Sequence, residues 1–496
     1  MSFMFFKSAV DLSKDLIEKR VSCEELVSSF MDRIELVNPI VNAIISFNRD
    51  KALEKARSID NKRFRKGETL SRCAGLPIIH KDVLCTRDFP TTCGSRMLKD
   101  FVSPYDAHVV SILDKKGLVT LGKSNMDEFA MGTSNENSFF GPVRNPWDLD
   151  RVPGGSSGGA AVVISAGLAP FSTGTDTGGS VRQPAALTGV TALKPTYGLV
   201  SRYGLVAFAS SFDQAGPMTR SVADCAFLLQ EMVDHDSRDS TQSDRPLVNY
   251  FDDLMAQSVD LSGITVGVVK EFFPSSLDAD VRSVVEAAID ELRRMGAKVK
   301  GVSLPRVSLS VPLYYVLSSA EAASNMARFD GVRYGFRSTL PFNSLEEFYS
   351  NTRGEGFGYE VKRRILTGNF VLSSKNYERY YLRAQKIRRL VSQEIISALS
   401  SCDILAGPTS PTVAFRMGEE PENAIDMYFS DIFTIPANLA GLPAISIPCG
   451  FSRNLPVGLQ LISKQFGESR LFHAGHAFQC CTDHHERVPN IVSQNK

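Results

Sequence analysis

The sequence predicts an α/β protein with a large mixed β-sheet flanked by helices and an inserted helical lobe. Short apolar segments typical of strands alternate with amphipathic helical segments from about residue 73 onward, an order that favours a mostly parallel sheet. Residues 310–400 then follow a strongly helical pattern. Strand-like segments return at "CDILAGPT" and "PAISIPCG" (402–409 and 443–450).

The same patterns divide the chain into three parts. Residues 1–70 are predicted to form a helical arm packed on the body. Residues 71–480 are predicted to form a single domain, into which the helices of about 310–400 are inserted. Residues 481–496 remain as a C-terminal tail.

Composition restricts the possible classes of protein. The 496 residues include 55 Lys and Arg and 55 Asp and Glu, so the formal net charge is zero, whereas proteins that bind nucleic acid by themselves usually carry a basic excess. The nine cysteines include no CxxC pair, which is typical of reduced thiols and predicts a cytoplasmic protein. No segment approaches the ~20 apolar residues of a membrane span, so no membrane association is expected.

A Gly/Ser-rich segment spans residues 151–189. Its run Gly155–Gly159 is not a simple linker, because the apolar sequence "AAVVISAG" follows it at once and a second glycine-rich turn, "GTDTGGS", comes after that. It lacks the GxxxxGK[ST] pattern of a phosphate loop. Gly154, Ser156 and Gly158 do match the nucleophile elbow of α/β-hydrolases, which leaves that fold as an alternative. That fold needs a later Asp and His, and four of the seven histidines crowd at the C-terminus.

Ser180 is a candidate nucleophile, and Lys81 is a candidate base. Adjacent glycines let backbone N–H groups converge on one point, which predicts an oxyanion hole at Thr177, Gly178, Gly179 and Ser180. Lys81 ends the apolar segment "GLPIIHK". A lysine base must be neutral, whereas a free lysine has a pKa of ~10.4. Burial lowers that pKa, so we expect Lys81 to be buried.

The motifs "GGSSGG" and "GTDTGGSVRQPA" are similar to the signature of the amidase signature family. The resemblance implies the amidase signature fold and a Ser-cis-Ser-Lys triad without metal or histidine. In that triad Ser180 forms the acyl-enzyme, Ser156 relays a proton and Lys81 is the base. It also implies a cis peptide bond between Gly155 and Ser156. The sequence departs from the family pattern at Ala160 and His80.

Segments outside this signature resemble the glutaminase subunits of tRNA-dependent amidotransferases. They include "MDEFAMGTSNENSFFGPVRNPWD", "GFGYEVKRRILTGNFVLSS" and "FTIPANLAGLPAISIPCG". The resemblance implies hydrolysis of glutamine to glutamate and ammonia. It implies that Arg364 (with Arg363 as the alternative) binds the glutamine carboxylate and Asp431 its ammonium.

The same resemblance implies a heterotrimer with B and C subunits. This chain would bind no cofactor, and a partner subunit would use ATP and Mg to convert Glu-tRNA(Gln) to Gln-tRNA(Gln) with the ammonia. One alternative is a free-standing amidase of the family acting on another amide. Another is a catalytically inactive scaffold, against which the intact Lys81, Ser156 and Ser180 argue.

Other polar residues receive structural interpretations. We expect Asp176 and Arg182 to form an ion pair that holds the nucleophile turn. Asp127 and Glu128 could act as acid and base, but a Lys-Ser-Ser triad needs no such pair. No metal site is predicted at the C-terminal residues His473, His476, His484, His485 and Glu486.

Overall fold

A computed structural model describes residues 4–66, 68–419 and 429–490. Its strands are β1 (Ile44–Phe47), β2 (Pro77–Lys81), β3 (Val119–Ser124), β4 (Phe171–Asp176), β5 (Thr191–Lys194), β6 (Gln214–Thr219), β7 (Thr265–Val269), β8 (Lys298–Val302), β9 (Ile404–Pro408), β10 (Ala444–Ser452) and β11 (Leu455–Ser463). They form one eleven-stranded sheet in the order β1-β3-β2-β4-β6-β5-β10-β11-β9-β7-β8. The prediction of a large mixed sheet is confirmed.

Helices surround this sheet. They are α1 (Ala9–Ile17), α2 (Cys23–Val41), α3 (Arg49–Asp60), α4 (His108–Lys115), α5 (Gly158–Ser165), α6 (Arg182–Thr188), α7 (Val222–Met232), α8 (Tyr250–Met255), α9 (Ala279–Arg294), α10 (Ser310–Met326), α11 (Leu345–Gly356), α12 (Tyr359–Leu372), α13 (Arg383–Ala398), α14 (Ile435–Leu439) and α15 (Glu468–Cys481). Short 3-10 or π-helical turns occur at Met4–Phe6, Asn61–Arg65, Arg96–Leu98, Glu128–Ala130, Lys270–Phe272, Pro305–Leu309, Tyr377–Leu382 and His484–Glu486. Within the described ranges, no helix has the length and apolar character needed to cross a membrane.

The expectation of a mostly parallel sheet is wrong. Of the ten strand pairs formed by the described residues, six are antiparallel and four are parallel. The parallel pairs flank an antiparallel centre. There β10 and β11 form a hairpin through Arg453 and Asn454, whose φ angles are +51° and +63°, and a connection of two residues can join only antiparallel strands.

The N-terminal segment is not entirely helical, because β1 pairs with β3 at one edge of the sheet. Helices α10–α13 occupy the span that the sequence predicted as a helical lobe. The domain boundaries themselves stay predictions, and residues 491–496 of the predicted tail lie outside the described ranges.

The neighbouring parallel strands β2 and β4 position the chemistry. Both are buried along their whole length, and they pair in register with Ile78 opposite Phe171 and His80 opposite Thr173. Their carboxyl ends therefore meet at one edge of the sheet. Lys81 is the last residue of β2, and the turn that carries Ser180 follows β4 and precedes α6.

Candidate active site

Lys81 is fully buried at the end of β2. Its ammonium nitrogen donates hydrogen bonds to the hydroxyls of Ser156 (2.8 Å) and Ser157 (2.7 Å). A longer bond of 3.4 Å reaches the carbonyl of Thr175. Burial lowers the Lys81 pKa from 10.5 to about 7, although the nearby carboxylates, Asp127 foremost, oppose this effect. A substantial share of the amine is therefore neutral near pH 7, as a base requires.

The two glycine-rich segments lie side by side. The N–H of Ser157 donates to the carbonyl of Ser180 at 3.1 Å. The N–H of Gly155 donates to Gln183, in the first turn of α6, at 3.1 Å. The peptide bond between Gly155 and Ser156 is cis, as predicted. The fold thus brings Lys81 into contact with Ser156 and places Ser180 on the adjoining turn.

The nucleophile turn is held by a buried ion pair, which confirms the pairing expected of Asp176 and Arg182. The Arg182 guanidinium binds Asp176 through two bonds of 3.0 Å each. Its remaining donors reach the Thr434 carbonyl and the side chains of Gln460 and Asn438, at 3.0, 2.6 and 2.6 Å. Burial raises the pKa of Asp176, but the charge and hydrogen bonds of Arg182, together with the Lys194 charge and the Asn438 hydrogen bond, outweigh burial and lower that pKa overall.

The turn between β4 and Ser180 leaves no room for side chains at its glycines. A Cβ on Gly179, whose φ is +148°, would lie 2.2 Å from the Thr434 hydroxyl oxygen. A Cβ on Gly178 would lie 2.7 Å from the Tyr314 ring. The Thr434 hydroxyl donates to the Gly178 carbonyl at 2.7 Å, which fixes the orientation of that peptide. The oxyanion-hole role of residues 177–180 stays a prediction.

A family model described as Amidase matches residues 25–472, a range that includes Lys81, Ser156 and Ser180. The chain belongs to the amidase signature family. Membership removes the α/β-hydrolase alternative that the Gly154–Gly158 pattern had left open.

Individual relatives of this amidase are similar over nearly its full length. The glutamyl-tRNA(Gln) amidotransferase A chain of Aromatoleum aromaticum is 54% identical over 493 residues, which cover 99% of this chain and 100% of that protein. Its counterpart from Dechloromonas aromatica is also 54% identical, over 490 residues, 99% of this chain and 100% of that protein.

Two solved structures extend the comparison. The crystal structure of the same amidotransferase component from Thermotoga maritima is 41% identical with a TM-score of 0.79, covering 95% of this chain and 94% of the other. The peptide amidase of Stenotrophomonas maltophilia is 30% identical with a TM-score of 0.81, covering 96% and 97%.

The two predicted substrate-binding residues of this amidase are both buried, and Asp431 lies beside the nucleophile turn. Asp431 lies so close to Gly179 that a Cβ there would be 2.8 Å from its Oδ1 atom, and within the described ranges this oxygen has no hydrogen-bond partner. Burial raises the pKa of Asp431 well above its usual value, while the charges of Arg182 and Arg364 oppose this rise. The positive charge of Arg364 is thus close enough to Asp431 to lower the pKa of its carboxyl.

Arg364 and Arg363 differ in their surroundings. Arg364 is 4% exposed and donates to Glu360 at 2.7 Å and to the Tyr315 hydroxyl at 3.1 Å. Arg363 is more exposed, with 26% of its side chain accessible, and pairs with the other oxygen of Glu360 at 2.6 Å. The burial of Arg364 and the effect of its charge on the Asp431 pKa favour Arg364 over Arg363 as the candidate substrate-binding arginine.

Several residues of the site were not singled out from the sequence. Ser157 contacts Lys81, and only the doubled serine of "GGSSGG" hinted at it. Asp213 accepts a hydrogen bond of 2.7 Å from Thr177. Glu360 lies one turn before Arg364 on α12, and the i,i+4 spacing of opposite charges was the local signal that could have found it. No local pattern marks Tyr315 or Thr434, because long-range packing brings them to the site.

The other expectations concern histidines and carboxyl groups. His80 is buried with its Nδ1 atom 3.0 Å from the Thr173 hydroxyl. Burial and then the Lys123 charge lower its pKa to about 3, so His80 is neutral. Asp127 and Glu128 are buried. Across 4–66, 68–419 and 429–490, no group of three or more His, Cys, Asp or Glu residues could hold a metal ion.

Proposed function

We propose that this amidase is the glutamine-hydrolysing subunit of a glutamyl-tRNA(Gln) amidotransferase. Its similarity to two such components of that enzyme, 54% identity over 99% of the chain, carries the proposal. The reaction is the hydrolysis of glutamine to glutamate and ammonia. The complex then uses the ammonia to convert Glu-tRNA(Gln) to Gln-tRNA(Gln).

In the proposed mechanism Ser180 attacks the side-chain amide carbon of glutamine. Ser156 accepts the Ser180 proton as the new bond forms, and neutral Lys81 accepts the Ser156 proton across their 2.8 Å contact. Backbone N–H groups of residues 177–180 stabilise the oxyanion. The protons return through Ser156 to the leaving nitrogen, which departs as ammonia. Water then hydrolyses the acyl-enzyme by the same route.

Glutamine differs from an apolar amide by its α-carboxylate and α-ammonium. In the proposed pocket Arg364 binds the carboxylate, because a guanidinium offers a planar pair of donors. Asp431 accepts from the ammonium beside Gly179. The arrival of a cation favours the ionised form of Asp431 and satisfies the oxygen that, within the described ranges, otherwise has no partner.

The ATP-dependent part of the reaction is assigned to partner subunits. The chain has zero formal net charge and no phosphate loop. We therefore propose that it joins B and C subunits in a heterotrimer, and that a partner binds ATP, Mg and the tRNA. Calorimetry on the isolated chain should detect no tight binding of ATP, and micromolar affinity would contradict this assignment.

Alanine substitutions at the two substrate-binding residues test the proposal. Asp431→Ala and Arg364→Ala should each leave one substrate charge unpaired, at a cost of ~2–5 kcal/mol. That cost corresponds to roughly a 30-fold to several-thousand-fold loss of glutamine hydrolysis. Arg363→Ala is the matched control and should retain most of the activity. The assay measures ammonia released from glutamine by the purified chain, alone and with its partners.

Two further measurements separate substrate binding from catalysis. An uncharged activated ester should still acylate Ser180 in the Asp431 and Arg364 variants, and ammonia-dependent amidation by the full complex should survive. Normal glutamine hydrolysis by Asp431→Ala and by both arginine variants would instead support a free-standing amidase that acts on another amide.

A further inference from the structure

Asp127 is a buried carboxyl that has no part in the proposed mechanism, yet it lies against the segment that carries Ser156. Its backbone N–H donates to the Ser156 carbonyl at 3.3 Å. Its Oδ2 atom accepts from the N–H of Asn135 at 3.1 Å. Its Oδ1 atom is buried and, within the part of the chain that the structure describes, has no hydrogen-bond partner.

Two glycines make room for this carboxyl. A Cβ on Gly155 would lie 2.0 Å from the Asp127 Oδ2 atom, and a Cβ on Gly132 would lie 2.3 Å from its Cγ atom. Real Cβ atoms do not approach other atoms so closely, so only glycine is compatible with the carboxyl at either position. The carboxyl is therefore fixed against the residue that immediately precedes Ser156.

Lys81 and Asp127 lie against the same segment: Lys81 binds the Ser156 hydroxyl at 2.8 Å, while the Asp127 N–H binds the Ser156 carbonyl and the Asp127 carboxyl packs on Gly155. Among the charges that raise the Lys81 pKa, Asp127 acts most strongly, ahead of Asp176 and Asp213. Arg182 neutralises Asp176. Asp213 accepts from Thr177 and from the backbone N–H groups of residues 208 and 209.

The surroundings of Asp127 favour a neutral carboxyl unless a cation is present. Burial raises its pKa to about 7, the Asn135 N–H and the Lys81 charge lower it, and the Glu136 charge raises it. The Asp127 charge in turn raises the pKa of Asp431. Among the described residues that act most strongly on the Asp127 pKa, Lys81 is the one cation.

We propose that Asp127 is a positioning residue for the base: its carboxylate, fixed against Gly155, supplies a buried counter-charge for the Lys81 ammonium, and its backbone N–H helps to hold Ser156 in place beside Lys81. The inference rests on the proposed triad. When Lys81 accepts the Ser156 proton, a positive charge forms in a fully buried site. Asp127 stabilises that charge without touching the substrate, and no bond to Asp127 forms or breaks.

The pH profile of Asp127→Asn tests this role. The asparagine oxygen can keep the bond from Asn135 while the charge is lost. Without the carboxylate the Lys81 ammonium is less stable, so the acidic limb of kcat/KM should move to lower pH by roughly one unit, the size expected for the loss of one nearby opposite charge. The substrate is a small uncharged ester, p-nitrophenyl acetate, which does not require the glutamine pocket.

Glu128→Gln is the matched control. Glu128 is also buried and its pKa is also raised to about 7, mainly by burial. Its carboxylate, however, accepts from Ser95 and from the Gly358 N–H (2.8 Å), away from Lys81. The acidic limb of Glu128→Gln should coincide with that of the unmodified chain.

The outcomes separate the alternatives. A purely structural Asp127 would lower the rate of Asp127→Asn equally at all pH values, and an unmoved acidic limb would overturn the proposal. If Asp127→Asn does not fold, the smaller Asp127→Ser carries the same expectation, and failure of both to fold would assign Asp127 to folding alone. Undiminished ester hydrolysis by Ser180→Ala would contradict the proposed triad, and this inference would fail with it. Loss of glutamine selectivity alone would contradict only the proposed substrate.

Discussion

Replacing Arg182 with methionine removes the central cation of the nucleophile turn while keeping much of its apolar volume. In the folded protein all five guanidinium N–H groups are engaged: two bind Asp176, and the others bind Thr434, Gln460 and Asn438. Both members of the ion pair are fully buried. Arg182→Met therefore leaves the Asp176 carboxylate without its counter-charge inside the protein.

Breaking a buried ion pair by removing one partner costs ~3–5 kcal/mol. Total folding stabilities are ~5–15 kcal/mol, so the loss is a large fraction of the whole. The double variant Arg182→Met/Asp176→Leu removes both charges and should be less destabilised than Arg182→Met alone. Because the Asp176 pKa is lowered in the folded protein, its contribution is present above the unfolded pKa and is lost as pH falls through the folded pKa. The penalty of Arg182→Met should therefore shrink on acidification.

Urea unfolding followed by circular dichroism at several pH values measures this cost. Arg87→Met is the matched control, because Arg87 is 65% exposed and only 3.8 Å from Asp106, and exposed pairs contribute little. Ester hydrolysis by Arg182→Met should also fall, because Ser180 lies on the turn that Arg182 holds. An unchanged unfolding midpoint at neutral pH, or a double variant less stable than Arg182→Met, would refute this reasoning.

Three further predictions concern the catalytic groups directly. Since Lys81 must be neutral and its pKa is lowered to about 7, the acylation rate should rise with pH through about 7 and then level off; a rise only near 10 would contradict the lowered pKa of Lys81. Lys81→Ala and Ser156→Ala should each slow hydrolysis by several orders of magnitude, and the double variant should be little slower than either; additive losses in steady-state kinetics would contradict a shared proton path. Gly179→Ala should abolish ester hydrolysis, because its Cβ would lie 2.2 Å from the Thr434 hydroxyl oxygen; retained turnover would show that the turn can shift without loss of function.

Local sequence was sufficient for the features that depend on neighbouring residues. The apolar segment before Lys81 predicted a buried strand ending in a base, and β2 is buried at every position. The spacing of Asp176 and Arg182 around a glycine-rich turn predicted their ion pair. The signature motifs identified the family and the cis peptide bond.

Tertiary structure decided the features that depend on distant segments. Alternating helix and strand patterns suggested mostly parallel pairing, but strand direction is fixed by which strands become neighbours, and the central strands pair antiparallel. Thr434 bonds to Gly178 across 256 residues, a contact that no local periodicity encodes. In the same way Asp127 and Glu128, adjacent in sequence, occupy different surroundings: one lies against Gly155 and the other binds the Gly358 N–H. Residue type determines which chemistry a side chain can perform, but packing alone determines which partners it meets and therefore which of those reactions is possible.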